Sequence, residues 1–276
     1  MSSWKYIVSS RAGLFLIDHA AWHLASPGIF FGLTLRGGDV YCFEARDPPS
    51  LVSRRGRIVR FRYEGGDLRG GETVADNLDN RCHQMDLFGD NCLLTDTANQ
   101  CILQFDKDWR HSRTYYPLLR APTGAWDAGY AHLNSILCCH QSVYVMLHHG
   151  GVRRSEILEL DLNLRERRRL QLTDYCCHDI VRLENGAFMA SASTSGCLIT
   201  TDGQRVKIDE LMTRGLAVTS DEIAVGSSLF GPRFVRHMLP GFVTIMDRSY
   251  RLLGRLSIPG APAQIRSLHA GDRPLS

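Results

Sequence analysis

The feature that most constrains this fold is a repeat of short apolar runs along the whole chain. Runs that begin at residues 82, 131 and 177 lie 49 and 46 residues apart. Each is followed by a turn, a second apolar run, a third run and a more polar fourth. Four strands in a unit of about 40 to 50 residues are typical of one blade of a β-propeller.

The same spacing continues in both directions and predicts an all-β protein, a six-bladed β-propeller that forms one domain over residues 1–276. Five blades are complete, and a lone strand near the C-terminus joins three strands near the N-terminus to make the sixth. This pairing closes the ring without unpaired strand edges, whereas a β-sandwich would not predict complementary end segments. The predicted blades are 29–75, 82–119, 131–172, 177–210, 214–258, and 263–276 with 4–24.

Composition is compatible with this fold and argues against several classes of function. Apolar residues make up 44% of the chain and charged residues 22%, as in globular proteins. The net charge of +3 gives no reason to expect nucleic-acid binding, and no apolar run has membrane-spanning length. The nine cysteines are an odd number and include the adjacent pairs Cys138–Cys139 and Cys176–Cys177, which suit a reducing compartment better than a disulfide framework. The chain has no CxxC pair, which excludes a zinc ribbon. Without a signal-peptide pattern, we expect a cytoplasmic protein that does not bind membranes.

One segment carries a resemblance to a known repeat. Residues 94–105 read LTDTANQCILQF, and within them the pattern D-T-x-N-x-x-I resembles an NHL-type repeat. The six blades and the shared closure are similar to the superfamily of strictosidine synthase, gluconolactonase and senescence-marker-like lactonases. The resemblance covers one blade well and the others loosely, and it implies architecture more than chemistry.

Three histidines occupy equivalent positions in three consecutive blades. The first strand of each blade lines the central channel, and at its start the six blades carry Phe31, His83, His132, His178, Arg214 or Gly215, and Gln264. Three imidazoles with an open position are a catalytic metal arrangement. We therefore predict one divalent metal, iron, zinc or copper, held by the three histidines. A hydrogen-bonded polar channel without metal is the alternative.

The loop after the second strand of each blade faces the same funnel and supplies further candidates. Glu44 and Asp96 are candidate general bases or partners that orient the imidazoles, and His148 is a candidate fourth ligand or catalytic group. Asp96 also has a structural interpretation, because its turn uses that carboxylate to bind its own backbone. The predicted substrate-binding residues are Arg11, Arg214, Asn134, Phe230 and Arg233.

The resemblance does not transfer a catalytic residue set. Gluconolactonase-type metal sites use carboxylates and amides, whereas histidines stand at the channel positions here. Strictosidine-synthase-type chemistry uses a funnel glutamate, for which Glu44 is the candidate.

The leading functional hypothesis is a metal-dependent enzyme acting on a small molecule or peptide, with the metal activating water, dioxygen or a substrate carbonyl. Two alternatives stay open. One is a non-catalytic propeller that binds a protein or ligand on its funnel face, with the segment around Phe230 and Arg233 as a docking loop. The other is a metal-free lyase or condensing enzyme that uses Glu44.

Overall fold

The computed structural model describes residues 4–48, 51–118, 130–139, 141–231, 235 and 238–269. In this part of the chain the strands form six antiparallel sheets of four strands each. The innermost strands of neighbouring sheets contact one another in a closed circle. The six-bladed β-propeller predicted from the repeat is therefore confirmed.

The blades are numbered here from the one that contains the first strand. Blade I consists of β24 (Pro262–Ser267), β1 (Tyr6–Ser10), β2 (Gly13–Ile17) and β3 (Trp22–Pro27). Blade II consists of β4 (Ile29–Arg36), β5 (Asp39–Ala45), β6 (Gly56–Glu64) and β7 (Asp67–Leu78). Blade III consists of β8 (Cys82–Phe88), β9 (Asn91–Asp96), β10 (Cys101–Phe105) and β11 (His111–Tyr115).

The remaining three blades follow the same order from the channel outwards. Blade IV consists of β12 (Leu133–Cys139), β13 (Ser142–Leu147), β14 (Glu156–Leu160) and β15 (Glu166–Gln171). Blade V consists of β16 (Cys177–Arg182), β17 (Phe188–Ala192), β18 (Cys197–Thr200) and β19 (Arg205–Lys207). Blade VI consists of β20 (Met212–Val218), β21 (Glu222–Ser228), β22 (Pro240–Asp247) and β23 (Leu252–Pro259). The predicted blade limits at 119 and 276 lie outside the described residues.

Burial follows the position of each strand in its blade. Four of the six second strands, β1, β13, β17 and β21, are buried throughout because blades cover both of their faces. The outer strand β15 has the sequence ERRRLQ and is largely exposed, so its arginines keep an edge strand charged. Among the described residues, no helix has the length and apolar character needed to span a membrane.

The predicted closure is also confirmed. Strand β24 pairs antiparallel with β1, with Tyr6 opposite Ser267 and Val8 opposite Ile265. Side chains from this pair pack with blade VI in a buried cluster that includes Ala224 and Val243. Backbone hydrogen bonds and apolar packing therefore join the two ends of the chain in one sheet.

Five innermost strands share a register break near the same end of the channel. The break lies after Phe30 in β4, Cys82 in β8, Leu133 in β12, His178 in β16 and Thr213 in β20. A β-bulge bends its strand and redirects the side chains beside it. These breaks therefore redirect the side chains beside them, among them Phe31, His83, His178 and Arg214, at one end of the channel.

Candidate functional site

Four histidines lie together at one end of the channel. The ring centroids of His83 and His132 are 5.4 Å apart, those of His132 and His148 are 4.8 Å apart, and those of His148 and His178 are 4.8 Å apart. We call these four residues the histidine cluster. The repeat register thus predicted correctly that His83, His132 and His178 approach one another, and His148 lies between two of them.

Each blade contributes a side chain to this end of the channel, which we call the histidine mouth. Phe31 packs against His83 at a centroid distance of 5.5 Å. The guanidinium carbons of Arg11 and Arg214 lie 5.5 and 6.0 Å from the centroid of Phe31. Around the mouth, in blade order, stand Arg11, Phe31, His83, His132 with His148, His178 and Arg214.

Local backbone geometry explains how these side chains reach the mouth. His83 and His178 are each the second residue of an innermost strand, beside a bulge. His132 precedes β12 and His148 follows β13, so these two residues come from adjacent strand ends. His132 has a φ of 54° and Asp179, next to His178, has a φ of 61°. Such left-handed backbone is costly for non-glycine residues and concentrates at functional sites.

The Nδ1 atoms of His83 and His178 face hydrogen-bond acceptors. Nδ1 of His83 lies 2.9 Å from the carbonyl oxygen of Arg81 and 2.8 Å from the hydroxyl of Thr97. Nδ1 of His178 lies 3.2 Å from the carbonyl oxygen of Cys176 and 2.7 Å from the hydroxyl of Ser193. A carbonyl oxygen only accepts, so both Nδ1 atoms carry hydrogen. In the neutral rings Nε2 therefore holds the lone pair.

His132 has the same arrangement, and His148 has the opposite one. Nδ1 of His132 lies 3.3 Å from the hydroxyl of Tyr130, whose hydrogen is donated to the carbonyl oxygen of Thr97. Nδ1 of His132 is therefore the donor. Nδ1 of His148 instead accepts a 3.0 Å hydrogen bond from the backbone N–H of Gly150. A neutral His148 consequently carries its hydrogen on Nε2.

The electrostatics of the mouth favour a neutral imidazole at His178. Burial, the nearby Arg214 guanidinium and the other three histidines lower the pKa of His178 well below its ordinary value. His178 is therefore an unprotonated base at neutral pH. Arg11, Arg214, His132 and His178 are each buried, so charge interactions at the mouth are weakly screened by water.

A buried carboxylate supports the mouth from below. Asp179 accepts hydrogen bonds from Nε2 of Gln84 at 2.6 Å and from the backbone N–H of Gly215 at 2.8 Å. Burial raises the pKa of Asp179, and these hydrogen bonds with the charge of Arg214 oppose that rise. Asp179 thus joins the innermost strands of blades III, V and VI beneath His178 and Arg214.

The orientation of the three imidazoles favours metal binding, whereas the positions of the side chains do not. Three imidazoles held through Nδ1 present Nε2 atoms, which is how histidine ligands are usually oriented. Within the described ranges, however, no three His, Cys, Asp or Glu side chains stand where they could hold a metal ion. Two guanidinium groups nearby also disfavour a cation. As the side chains stand, the mouth does not fit a metal, and the predicted metal stays a prediction.

The two predicted carboxylates lie in other surroundings. Glu44 accepts a 2.6 Å hydrogen bond from Nε of Arg57, on the neighbouring strand of blade II. Asp96 accepts hydrogen bonds from both the backbone and the side-chain amide of Asn99, and burial raises its pKa. Asp96 also lines a cavity of about 610 Å³ beside β7, β10 and β11. Catalytic roles for Glu44 and Asp96 stay predictions.

The remaining predicted binding residues differ in their placement. Asn134 is buried, donates to the carbonyl oxygen of Cys177 at 3.1 Å and accepts from Ser135 at 2.9 Å, so its amide connects blades IV and V. Phe230 follows β21 and is 76% exposed, at the same end as the histidine mouth. Arg233 lies outside the described residues.

Sequence reasoning missed Tyr130, Gln84 and Asp179. A usable signal existed for two of them, because Gln84 and Asp179 each directly follow a repeat-equivalent histidine. The repeat does indicate Thr97 and Ser193, because both directly follow the second strands of their blades. No repeat position points to Tyr130, and the backbone N–H of Gly150 has no signature in the sequence.

Comparisons with known proteins agree with the fold. The propeller of a nidogen/laminin complex has a TM-score of 0.71 at 11% identity, covering 97% of this chain and 99% of that one. Another similar structure is a catalytically inactive histidine-to-alanine variant of virginiamycin B lyase from Staphylococcus aureus with quinupristin. Its TM-score is 0.54 at 12% identity, and the match covers 83% of this chain and 70% of the lyase chain. A candidate gluconolactonase has a TM-score of 0.58 at 9% identity, and the match covers 85% of this chain and 80% of that one.

At these identities the likeness concerns the fold alone. The resemblance to six-bladed propellers of the NHL and gluconolactonase type is confirmed at that level. No protein-family model matches the chain, and no curated protein matches its sequence. The structural neighbours include both enzymes and a propeller from a protein–protein complex, so the shared fold does not indicate a particular chemistry.

Proposed function

We propose that the protein is an enzyme acting on a small molecule that carries a carboxylate or phosphate group, and that the histidine mouth is its active site. Arg11 and Arg214 would hold the anionic group, and an imidazole Nε2 atom would take a proton from the substrate. The observation that supports this proposal is that side chains from all six blades meet at the mouth, where two guanidinium groups lie near four imidazoles.

The chemistry follows from the charge states. Guanidinium groups bind carboxylates and phosphates through charge-assisted hydrogen bonds. A neutral imidazole with its lone pair on Nε2 is a general base at neutral pH, and the lowered pKa of His178 keeps it in that state. The reaction class is proton abstraction from carbon, leading to isomerisation or elimination. The structural neighbours include a virginiamycin B lyase that is catalytically inactive with one histidine replaced by alanine.

A second candidate retains the divalent metal expected from the repeat. It is favoured by the shared arrangement of His83, His132 and His178, whose Nδ1 atoms all donate to protein acceptors. Their Nε2 atoms would be the ligands, and the metal would supply Lewis acidity to a substrate carbonyl or water. This candidate requires the three side chains to reorient around the ion.

The proposal is tested by incubating the protein with a small-molecule extract and following each compound by mass spectrometry. We expect the wild type to consume an anionic compound, and His178→Gln to consume it about 100-fold more slowly or worse, because a general base is lost. His269→Gln is the matched control, since His269 lies at the opposite end of the channel. No consumption would refute the proposal and favour the non-catalytic propeller. Equal rates for wild type and His178→Gln would show that consumption does not depend on His178 and would refute the histidine mouth as the active site.

Chelation and elemental analysis separate the two candidates. The metal-free enzyme keeps its rate after dialysis against a chelator. About one metal per chain in protein prepared without an affinity tag, lost together with activity in His132→Ala, would instead establish the metal-dependent candidate.

A further inference from the structure

The histidine cluster contains two kinds of imidazole. Nδ1 faces an acceptor in His83, His132 and His178, and it faces a donor in His148. The geometry points to different roles for these two kinds of imidazole, an inference that rests on the proposed function. His148 is the neutral hydrogen-bond donor to the substrate oxygen on which negative charge develops. Nε2 of a neighbouring histidine is the general base. The substrate class is thereby narrowed to anions with a carbonyl oxygen beside the carbon that loses its proton.

The backbone around His148 fixes this state. His148 caps a short turn at His149–Gly151, and its Nδ1 accepts from the N–H of Gly150, which has a φ of 61°. Glycine adopts this left-handed conformation readily, whereas other residues do so at a cost. Because the donor is a backbone amide, it cannot reverse its role. The hydrogen of a neutral His148 is therefore held on Nε2.

The neighbours of His148 are suited to the complementary role. His132 and His178 flank it at equal centroid distances of 4.8 Å, and both have Nε2 as the lone-pair nitrogen. One substrate bound at the mouth would therefore meet a donor and a base on adjacent rings. Hydrogen bonds placed in advance at a developing oxyanion contribute strongly to catalysis.

The step balances without any co-reactant. Nε2 of the base takes a proton from the carbon next to the carbonyl, and the electrons of that C–H bond form a carbon–carbon double bond. The carbonyl oxygen takes the negative charge and accepts the hydrogen bond from Nε2–H of His148, which keeps its hydrogen. In an isomerisation, the protonated base returns the proton to carbon and the oxyanion re-forms the carbonyl. In an elimination, the oxyanion re-forms the carbonyl as the bond from the next carbon to the leaving group breaks, and the leaving group departs with that electron pair and takes the proton from the base.

The tautomer assignment is tested by a long-range ¹H–¹⁵N correlation spectrum of histidine-labelled protein at neutral pH. Each ring is assigned by the signal that disappears in its histidine-to-glutamine variant. We expect hydrogen on Nε2 in His148 and on Nδ1 in His83, His132 and His178. A spectrum in which His148 carries hydrogen on Nδ1 would overturn the inference. This measurement needs no substrate, so its failure is distinct from failure of the proposed function.

The donor role is tested with the consumption assay described above. His148→Gln retains an N–H donor, and we expect it to keep at least about a tenth of the wild-type kcat. His148→Leu loses the donor, and kcat should fall about 100-fold while KM changes little, because the hydrogen bond strengthens only in the transition state. His149→Gln is the control, since His149 bonds Glu156 instead. Equal kcat values for His148→Leu and His148→Gln would overturn the donor role.

Discussion

At the residue scale, the chemical character of each imidazole depends on the group that meets its Nδ1 atom. His178 faces a carbonyl and a hydroxyl, whereas His148 faces a backbone amide. The positions of His83, His132 and His178 could be predicted because strand repeats align them. Their tautomers could not, since these depend on carbonyl and amide groups that every residue carries.

The carboxylate of Asp179 provides a residue-scale prediction. Asp179→Ala removes the acceptor of Gln84 and of the Gly215 N–H and leaves both donors buried. Each unsatisfied donor costs about 1–3 kcal/mol, so the free energy of unfolding should fall by that amount or more. Urea unfolding followed by circular dichroism measures the change. Asp221→Ala, at an exposed turn, should alter it by less than about 0.5 kcal/mol.

Equal stability of Asp179→Ala and Asp221→Ala would show that the Asp179 network does not join the blades. The network would then have no part in holding His178 and Arg214 in place at the mouth.

At the scale of elements, the bulges in the innermost strands connect fold to site. The repeat predicted where those strands begin, and β8 and β16 begin as expected at Cys82 and Cys177. The bulges themselves could not be predicted, because innermost strands such as β12 and β20 are buried on both faces and lack the strict alternation whose phase a bulge would shift. Gly215 marks one bulge: its φ is 86°, and a Cβ at this position would lie 3.1 Å from the side chain of Ile265.

The contact between blades I and VI gives an element-scale prediction that depends on pH. Glu222, at the start of β21, accepts hydrogen bonds from Lys5 at 2.5 Å, His19 at 2.9 Å and Tyr6 at 2.9 Å. Burial alone would raise the pKa of Glu222, but these bonds outweigh it and lower the pKa below the ordinary value of 4.5. The carboxylate is therefore stabilised in the folded state.

A lowered folded-state pKa contributes stability above the ordinary pKa, and that stability is lost as the pH falls through the folded-state pKa. We therefore expect Glu222→Gln to lower the free energy of unfolding by about 1–3 kcal/mol at pH 7. The difference from wild type should narrow below about pH 4. Urea titrations at several pH values measure it. Glu210→Gln is the control, because that side chain is 90% exposed. A difference independent of pH would contradict the assignment.

At the scale of the whole molecule, closure of the ring brings together residues that are far apart in the sequence. Arg11 and Arg214 are separated by about two hundred residues, yet both lie over Phe31. The repeat and the complementary end segments were sufficient to predict the six blades and their closure. The surroundings of Glu44 and Asp96 could not be predicted. Glu44 is bound by Arg57 on the neighbouring strand, and Asp96 is bound by the backbone N–H of Asn99 within its own turn.

The proposed function requires that the six blades bring guanidinium and imidazole groups to one mouth that binds anions. A crystal structure of the protein soaked in inorganic phosphate tests this claim directly. We expect one phosphate in contact with Arg11 or Arg214 and with Nε2 of at least one of His83, His132, His148 and His178. A structure in which these rings point to separate surroundings, or in which phosphate at saturating concentration leaves the mouth empty, would contradict it.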